Sequence, residues 1–578
     1  MDKRYLDFWP KHLARNIELP KVTIWENLDI TTRRYPDRTA IKFFGNDISY
    51  TQLHQEVDAL AGWLQQAAGV AKGDRVLLYM QNSPQFIITY YAILRADAVV
   101  IPVNPMNREE EFEHYISDTD AKVAIAASEL VEYAQAASAK LPAEQQLTHI
   151  LAANYADYLP AEYPHPEDAP PAVMQPLMLA DYQAPEGVAS WKDALGAAHQ
   201  PGPHTAQVTD LAVMPYTSGT TGFPKGCMHT HETIMHTVLV GVNANSLTAE
   251  AVSLSVLPLF HVTGMQYGMN ATIYCGATVV MLPRWDREVA GSYVSRYKVS
   301  HWTAIPTMII DLFGSPNIEK FDLTSLRYIG GGGAAMPEAV AKKVKDTFGL
   351  NFLEGYGLSE TIAPTHTNPA YRPKRQCLGI PTFGTDAAIV DPNTLEEVAQ
   401  GETGEIIVCG PQVMKGYWRN EEATKEVMIE FDGRTFFRTG DLGRIDEEGY
   451  FFITDRLKRM INASGFKVWP AEVEALLYHH PDVQEACIIG SKDPYRGETV
   501  KAVVVLMGAS KGKVTEQDII NWSKEHMAAY KTPKMVEFVD ALPKSGSGKV
   551  MWRILQEEEY ARTSDVKHGE SVDQSETA

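Results

Sequence analysis

Cysteine is scarce in this 578-residue chain: Cys227, Cys275, Cys377, Cys409 and Cys487 are scattered, with no CxxC pair. That usage fits a reducing compartment and argues against a disulfide framework or a structural zinc site. No apolar run approaches the roughly 20 residues that a membrane-spanning helix requires. The opening stretch MDKRYLDFWPKHLARNIELPK has charges and a proline where a secretory signal needs an apolar core. Positive charge is also short, with 52 Lys and Arg against 73 Asp and Glu and a formal net charge of −21. A field of that sign repels nucleic acid, although a local patch can still hold a small anion. The expectation is a cytoplasmic protein with no nucleic-acid partner and no integral membrane span. Peripheral membrane contact and a homodimer stay open.

What is present is ordinary globular material, 45% hydrophobic and 22% charged, in a chain too long for one core. Residues 51–68 put Leu53, Val57, Leu60, Ala61 and Leu64 on one helical face. RVLLYM (75–80) reads as a buried strand, and Ser83-Pro84 as an N-cap followed by proline in the first turn. Further strands are expected at 98–104 and 122–127. Strands alternating with helices imply a layered α/β architecture with parallel sheet. Residues 155–190 are rich in Pro and Ala and read as an irregular surface excursion, on composition alone a plain spacer. The α/β alternation resumes from 207 to about 455 and ends in the basic, turn-rich DRLKRMINASGFKVWP. A shorter αβ pattern follows, with strands expected at 485–490 and 500–507, long enough for a small domain. The division expected is 1–457 for a large N-terminal domain, 458–562 for a small C-terminal one, and 563–578 for a polar, disordered tail.

The strongest local signal is YTSGTTGFPKG (216–226). A strand candidate, LAVMPY (211–216), runs into Thr217, Ser218, Gly219, Thr220, Thr221 and Gly222, and then Lys225. Glycines let backbone N–H groups close on an anion, hydroxyls add donors, and a lysine adds a point charge. No Gly-Lys-Ser/Thr closes the loop, so it is not a Walker A motif.

This loop resembles the signature of the adenylate-forming superfamily of acyl-CoA ligases, firefly-type luciferases and peptide-synthetase adenylation domains. The superfamily's other motifs follow in order. In GYGLSET (355–361), the resemblance implies that Tyr356, with Gly357 beside it, packs on adenine and that Ser359 lies near the α-phosphate. It also gives Glu360 a bridging Mg²⁺, a hard cation suited to carboxylate and phosphate oxygens. In GGGGAAMPE (330–338), Gly332, Gly333 and Ala334 would line the adenine and acyl pockets, where lack of bulk lets a flat ligand lie on backbone. Asp441 of RTGDLG (438–443) resembles the aspartate that accepts from both ribose hydroxyls. In DRLKRMINASGFKV (455–468), Arg456 would also reach the ribose, Lys458 stands at the family's interdomain hinge, and Gly465 with Phe466 belongs to the segment that approaches pantetheine. Lys549 of PKSGSGKV (543–550) matches the lysine that contacts the carboxylate and α-phosphate, where a cation stabilises developing charge. Taken singly, these segments also read as ordinary turns, linkers and surface lysines. Their order distinguishes them.

The implied protein is therefore an α/β enzyme with a large N-terminal domain of layered subdomains and a small, mobile α+β C-terminal domain. It would use ATP, Mg²⁺ and coenzyme A to turn a carboxylic acid into its adenylate and then its thioester. The two steps need different arrangements, which the family supplies by rotating the small domain about the hinge. In LPLFHVTG (257–264), no carboxylate stands where amino-acid-activating relatives pair the substrate ammonium, and His261 is there instead. His261 is either a packed histidine or a substrate contact. Val262 and its neighbours are small or apolar and would suit an alkyl chain. A medium- or long-chain fatty acid is expected. An aryl or short branched acid, an acyl-AMP ligase that loads a carrier protein, a luciferase-like oxygenase, and a catalytically dead nucleotide- or acyl-binding sensor are the alternatives.

Overall fold

The computed structural model describes all residues except 1–2, 10, 12–13, 218–223, 333–335, 337, 457–460, 464–465, 469, 478, 494–496, 544–549, 551 and 565–578. Its contacts divide the described residues into two compact units, one drawn from 1–217 and 224–457 and the other from 458 onward.

Amphipathic helices and buried strands alternate through the first unit. The helix Tyr50–Gln66 buries Leu53, Val57, Leu60, Ala61 and Leu64, and Ser49 caps it by accepting the N–H of Gln52. The helix Pro84–Arg95 starts as its sequence dictates: Ser83 Oγ accepts the N–H of Phe86, and proline occupies the first turn.

Two large sheets result. In one, Arg75–Tyr79, Val99–Val103, Val123–Ala127 and His149–Ala153 are parallel neighbours. In the other, a nine-stranded sheet, Val252–Ser255, Thr278–Met281, His301–Thr303, Tyr328–Gly331 and Leu353–Leu358 form a parallel centre. Ala363–Thr367 returns antiparallel to Leu353–Leu358 at one edge. Parallel strands buried on both faces need continuous apolar runs, and Val99–Val103 and Val123–Ala127 are buried at every residue. A third, antiparallel sheet of five strands includes Gly404–Cys409, Arg434–Ile445 and Phe451–Arg456.

The Pro/Ala-rich segment is not a spacer. It contains the short helical turns Tyr155–Tyr158, Pro166–Asp168 and Gln175–Leu177 and buries Tyr155, Tyr158, Met174 and Leu177. Asp168 is fully buried and accepts from Arg296 and, at 2.8 Å, from the Tyr297 hydroxyl.

The second unit centres on the long antiparallel pair Val483–Asp493 and Gly497–Leu506. Met535–Phe538 runs parallel to Gly497–Leu506, and the hairpin Ile461–Ala463/Phe466–Val468 joins the same sheet. The helices Pro470–Leu477, Glu516–His526 and Trp552–Ser564 complete the unit. No helix among the described residues is long and apolar enough to cross a membrane.

Candidate active site

In an open parallel sheet, ligands bind beyond the carboxyl ends of the strands. Three of the sequence's candidate segments follow or end such strands: His261 and Val262 after Val252–Ser255, Gly332 after Tyr328–Gly331, and Tyr356 to Glu360 at the end of Leu353–Leu358.

Glu360 stands at the tip of the hairpin made by Leu353–Leu358 and Ala363–Thr367. The tip is sharply turned. Ile362 and Ala363 both have left-handed backbone, with φ of 45° and 98°, a conformation rare for a β-branched residue. Thr361 braces it by donating to Ala363 O at 2.8 Å. Gly357 is required here, because a Cβ would lie 2.3 Å from Ala363 O. Two outside contacts fix the tip: Met414 N–H donates to Glu360 O at 2.8 Å, and His229 Nε2–H donates to Ser359 O at 2.7 Å. Burial holds His229 down to about 4, so the ring is neutral and Nε2 carries the proton toward the carbonyl.

The Glu360 carboxylate is buried and its Oε1 accepts the Tyr417 hydroxyl at 2.8 Å. Burial and this carboxylate push the phenol far above its usual range. On the other side, Lys225 Nζ lies 5.2 Å from the centre of the Tyr417 ring. Lys225 pairs directly with Thr217 across a short antiparallel ladder. The expected phosphate loop lies between these two positions, and its members Ser218, Gly219, Thr220, Thr221 and Gly222 fall outside the described residues. Thr217, Lys225, Tyr417 and Glu360 therefore form one connected row.

A second group joins two sheets. Tyr356 donates to Asp441 Oδ2 at 2.6 Å, and both residues are buried. Asp441 is opposite Arg456 in the antiparallel register, so the two expected ribose ligands are backbone neighbours. Only the backbone of Arg456 is described. Gly440 turns with φ 71° and gives its N–H to Glu405, whose other oxygen takes Arg438.

The glycine run is crowded by backbone. A Cβ at Gly331 would lie 1.9 Å from Ala304 O, and one at Gly332 2.4 Å from Gly355 O. Packing alone thus forbids side chains there. Gly333 and Ala334 lie outside the described residues. Glu354 steadies the far end of the run: its oxygens accept from Met336 N at 2.9 Å and Cys377 N at 3.4 Å.

His261 is exposed, with Nδ1 3.5 Å from Thr263 N. Val262 is buried in the main core. Asn82 clasps the preceding loop, donating to Leu257 O at 2.9 Å and accepting from Leu259 N at 2.8 Å. The π-helix Gly264–Asn270 follows. In the second unit, Phe466 stacks on Tyr530 with centroids 4.9 Å apart. Lys458, Gly465 and Lys549 lie outside the described residues.

Sequence reading missed Tyr417, His229, Glu354 and Asn82. No motif marks them. Each acts by reaching a segment distant in the chain, as Tyr417 does with Glu360 across 57 residues.

Residues 28–418 match the AMP-binding enzyme family, and residues 472–549 match the AMP-binding enzyme C-terminal domain. The chain belongs to the AMP-binding enzymes. Within them it is similar to a long-chain-fatty-acid–CoA ligase of Bacillus subtilis, 36% identical over 569 residues covering 96% of this chain and 98% of that protein. A feruloyl-CoA synthase of an Amycolatopsis species is 34% identical over 522 residues, covering 90% and 95%. Among solved structures, a long-chain-fatty-acid-CoA ligase from Archaeoglobus fulgidus has a TM-score of 0.73 at 25% identity, covering 91% of this chain and 98% of that one. This AMP-binding enzyme is an acyl-CoA synthetase that uses ATP and CoA.

Proposed function

We propose that the enzyme activates a medium- or long-chain fatty acid in two steps, with the site residues in the following roles. Asp441, oriented by Tyr356 and registered against Arg456, accepts the ribose hydroxyls. Lys225 and the 217–222 loop hold phosphate oxygens. The acid's carboxylate oxygen attacks the α-phosphorus, the bond to pyrophosphate breaks, and Lys549 neutralises charge at that centre. The CoA sulfur then attacks the acyl carbon, its proton passes to solvent, and AMP leaves. Lys458 is the hinge between the two arrangements, and Gly465 with Phe466 meets the pantetheine arm.

The buried Glu360 carboxylate fits Mg²⁺. That ion is usually held by one or two carboxylates plus substrate phosphates, and the described residues offer no cluster of three or more ligating side chains that could hold a metal without them. When bound there, Mg²⁺ would offset phosphate charge. Tyr417 aims the carboxylate, Met414 holds the Glu360 carbonyl and His229 that of Ser359 before it.

The connected row Thr217–Lys225–Tyr417–Glu360 is the observation that carries this reading. The fatty-acid assignment is supported by the Bacillus subtilis relative and by the small and apolar residues after His261. The feruloyl-CoA synthase relative supports an aryl acid as the second reading. Five free thiols, three of them buried, support a cytoplasmic setting.

The test is incubation with ATP, Mg²⁺ and acids from acetate through octanoate, palmitate and benzoate to ferulate, with and without CoA. Pyrophosphate and thioester are both measured. CoA-dependent thioester from octanoate or palmitate is expected. Ferulate alone as substrate would select the aryl reading, and pyrophosphate without thioester would point to another acceptor. Lys549→Ala is expected to abolish adenylation while still converting supplied acyl-adenylate.

A further inference from the structure

In the second unit, one carboxylate receives hydrogen bonds from two elements that carry different halves of the proposed chemistry. Glu498 lies near the start of the strand Gly497–Leu506. Its Oε2 accepts the backbone N–H of Asn462 at 2.7 Å, in the strand Ile461–Ala463. Its Oε1 accepts the hydroxyl of Tyr560, in the helix Trp552–Ser564. Asn462 stands between Lys458 and Phe466 in the chain, and the helix follows directly after Lys549.

The helix is fastened along its length. Gln556 exchanges two hydrogen bonds with the backbone of Gly490, at 2.8 and 2.6 Å. Glu559 takes Lys501 Nζ at 2.5 Å and the Ser491 hydroxyl at 2.6 Å, all three residues being buried. Leu542 and Val550, on either side of the segment holding Lys549, pack with Leu555 on Cys487, Ile489, Val503 and Val505. These contacts tie the helix to the long strand pair. Glu498 extends the tie to the strand that leads to Phe466. Gly490 leaves room for it, since a Cβ there would lie 3.3 Å from the Tyr560 hydroxyl and 3.4 Å from Glu498 Oε1.

We infer that Glu498 is a positioning residue that couples the helix following Lys549 in the chain to the strand ahead of Phe466, so that a disturbance of the helix anchor reaches adenylation before it reaches thioester formation. A carboxylate suits the task because it offers two acceptor oxygens, and charge-assisted bonds are roughly twice as strong as neutral ones. The inference rests on the role proposed for Lys549.

The experiment compares Tyr560→Phe, Glu498→Gln, Glu498→Ala and Lys549→Ala in the full chain. Adenylation is read by pyrophosphate exchange. The second step is read by thioester formation from supplied acyl-adenylate and CoA, and folding by thermal melting. Tyr560→Phe keeps the ring and loosens only the helix side. It is expected to slow adenylation about fivefold or more, since small misplacements reach 100-fold, while thioester formation stays within about twofold. Glu498→Ala is expected to slow both steps, and Glu498→Gln to fall between; if Glu498→Ala misfolds, the other two variants decide. Both steps within twofold of the parent in Tyr560→Phe and Glu498→Gln, or both falling in proportion to lost folded protein, would overturn the inference. If Lys549→Ala adenylates normally, the reading beneath it fails. If Lys549→Ala is dead and Tyr560→Phe is normal, only the coupling fails.

Discussion

The hydroxyl of Tyr356 donates to Oδ2 of Asp441 at 2.6 Å, and the two residues belong to different sheets. One oxygen of the proposed ribose ligand is thereby aimed by the residue proposed to carry adenine. A buried bond of this kind is worth about 1 kcal/mol net, more when one partner is ionised. Tyr356→Phe is expected to raise the KM for ATP about three- to tenfold. Asp441→Asn is expected to raise it further, about 10- to 100-fold. The ATP dependence of pyrophosphate exchange measures both. An unchanged KM in Asp441→Asn would remove Asp441 from the ribose.

Tyr417 lies against Glu360 and Lys225 and is itself given no contact with substrate. Its loss should therefore appear as weaker metal use rather than lost chemistry. Tyr417→Phe is expected to raise the half-saturating MgCl₂ concentration about three- to tenfold. Glu360→Gln is expected to slow adenylation by at least about 100-fold, the several kcal/mol a bound metal supplies. A magnesium titration of pyrophosphate exchange separates the two effects. Identical titration curves for Tyr417→Phe and the parent would break the proposed link.

Six of the described histidines are buried, and in four the ring is held firmly neutral: burial lowers His229 and His236 to about 4, and His231 and His366 to about 3. Unfolded, each titrates near its ordinary value of about 6.5. Between these values the unfolded chain binds more protons than the native one. Stability contributed by the neutral rings is complete above about pH 6.5 and is lost as pH falls toward 4. Urea midpoints are expected to drop steadily from pH 6.5 to 4.5, and His366→Gln should flatten that slope. A midpoint constant across the interval would refute the account.

Asp168 is fully buried against Arg296 and Tyr297. Asp168→Ala leaves the half-buried Arg296 guanidinium with only the exposed Glu167 carboxylate, 3.8 Å away, as an ion partner, and losing the buried partner of such a pair costs about 3 kcal/mol. The variant is expected to melt earlier, with the KM for ATP unchanged, because the contact joins the Pro/Ala-rich segment to the helix Arg287–Tyr297. A changed KM with unchanged melting would give the segment a different role.

The sequence discloses local order well and distant pairing poorly. Helix Tyr50–Gln66 and the Ser83 cap are readable because periodicity and capping act within a few residues. The α/β class follows from the same alternation. Nothing in residues 155–190 announces that Asp168, Met174 and Tyr155 are buried, because alanine and proline give no period and the contacts reach far along the chain, from Asp168 to Arg296 and from Tyr155 to Gln81. Glu360 is conspicuous in its motif, whereas Tyr417 becomes visible only when Cys227 bridges to it. Asp441 and Arg456 are named by separate motifs, and the ladder between them is a property of the folded hairpin.

The crowding at Gly331 and Gly332 constrains protein engineering. A methyl group at either position collides with a neighbouring strand's carbonyl before it can reach any ligand, so saturation mutagenesis there would return misfolded clones rather than altered acid preference. A library meant to shift the acid range belongs instead around His261, whose exposed side chain can be exchanged without repacking the core and whose loop Asn82 holds in place independently.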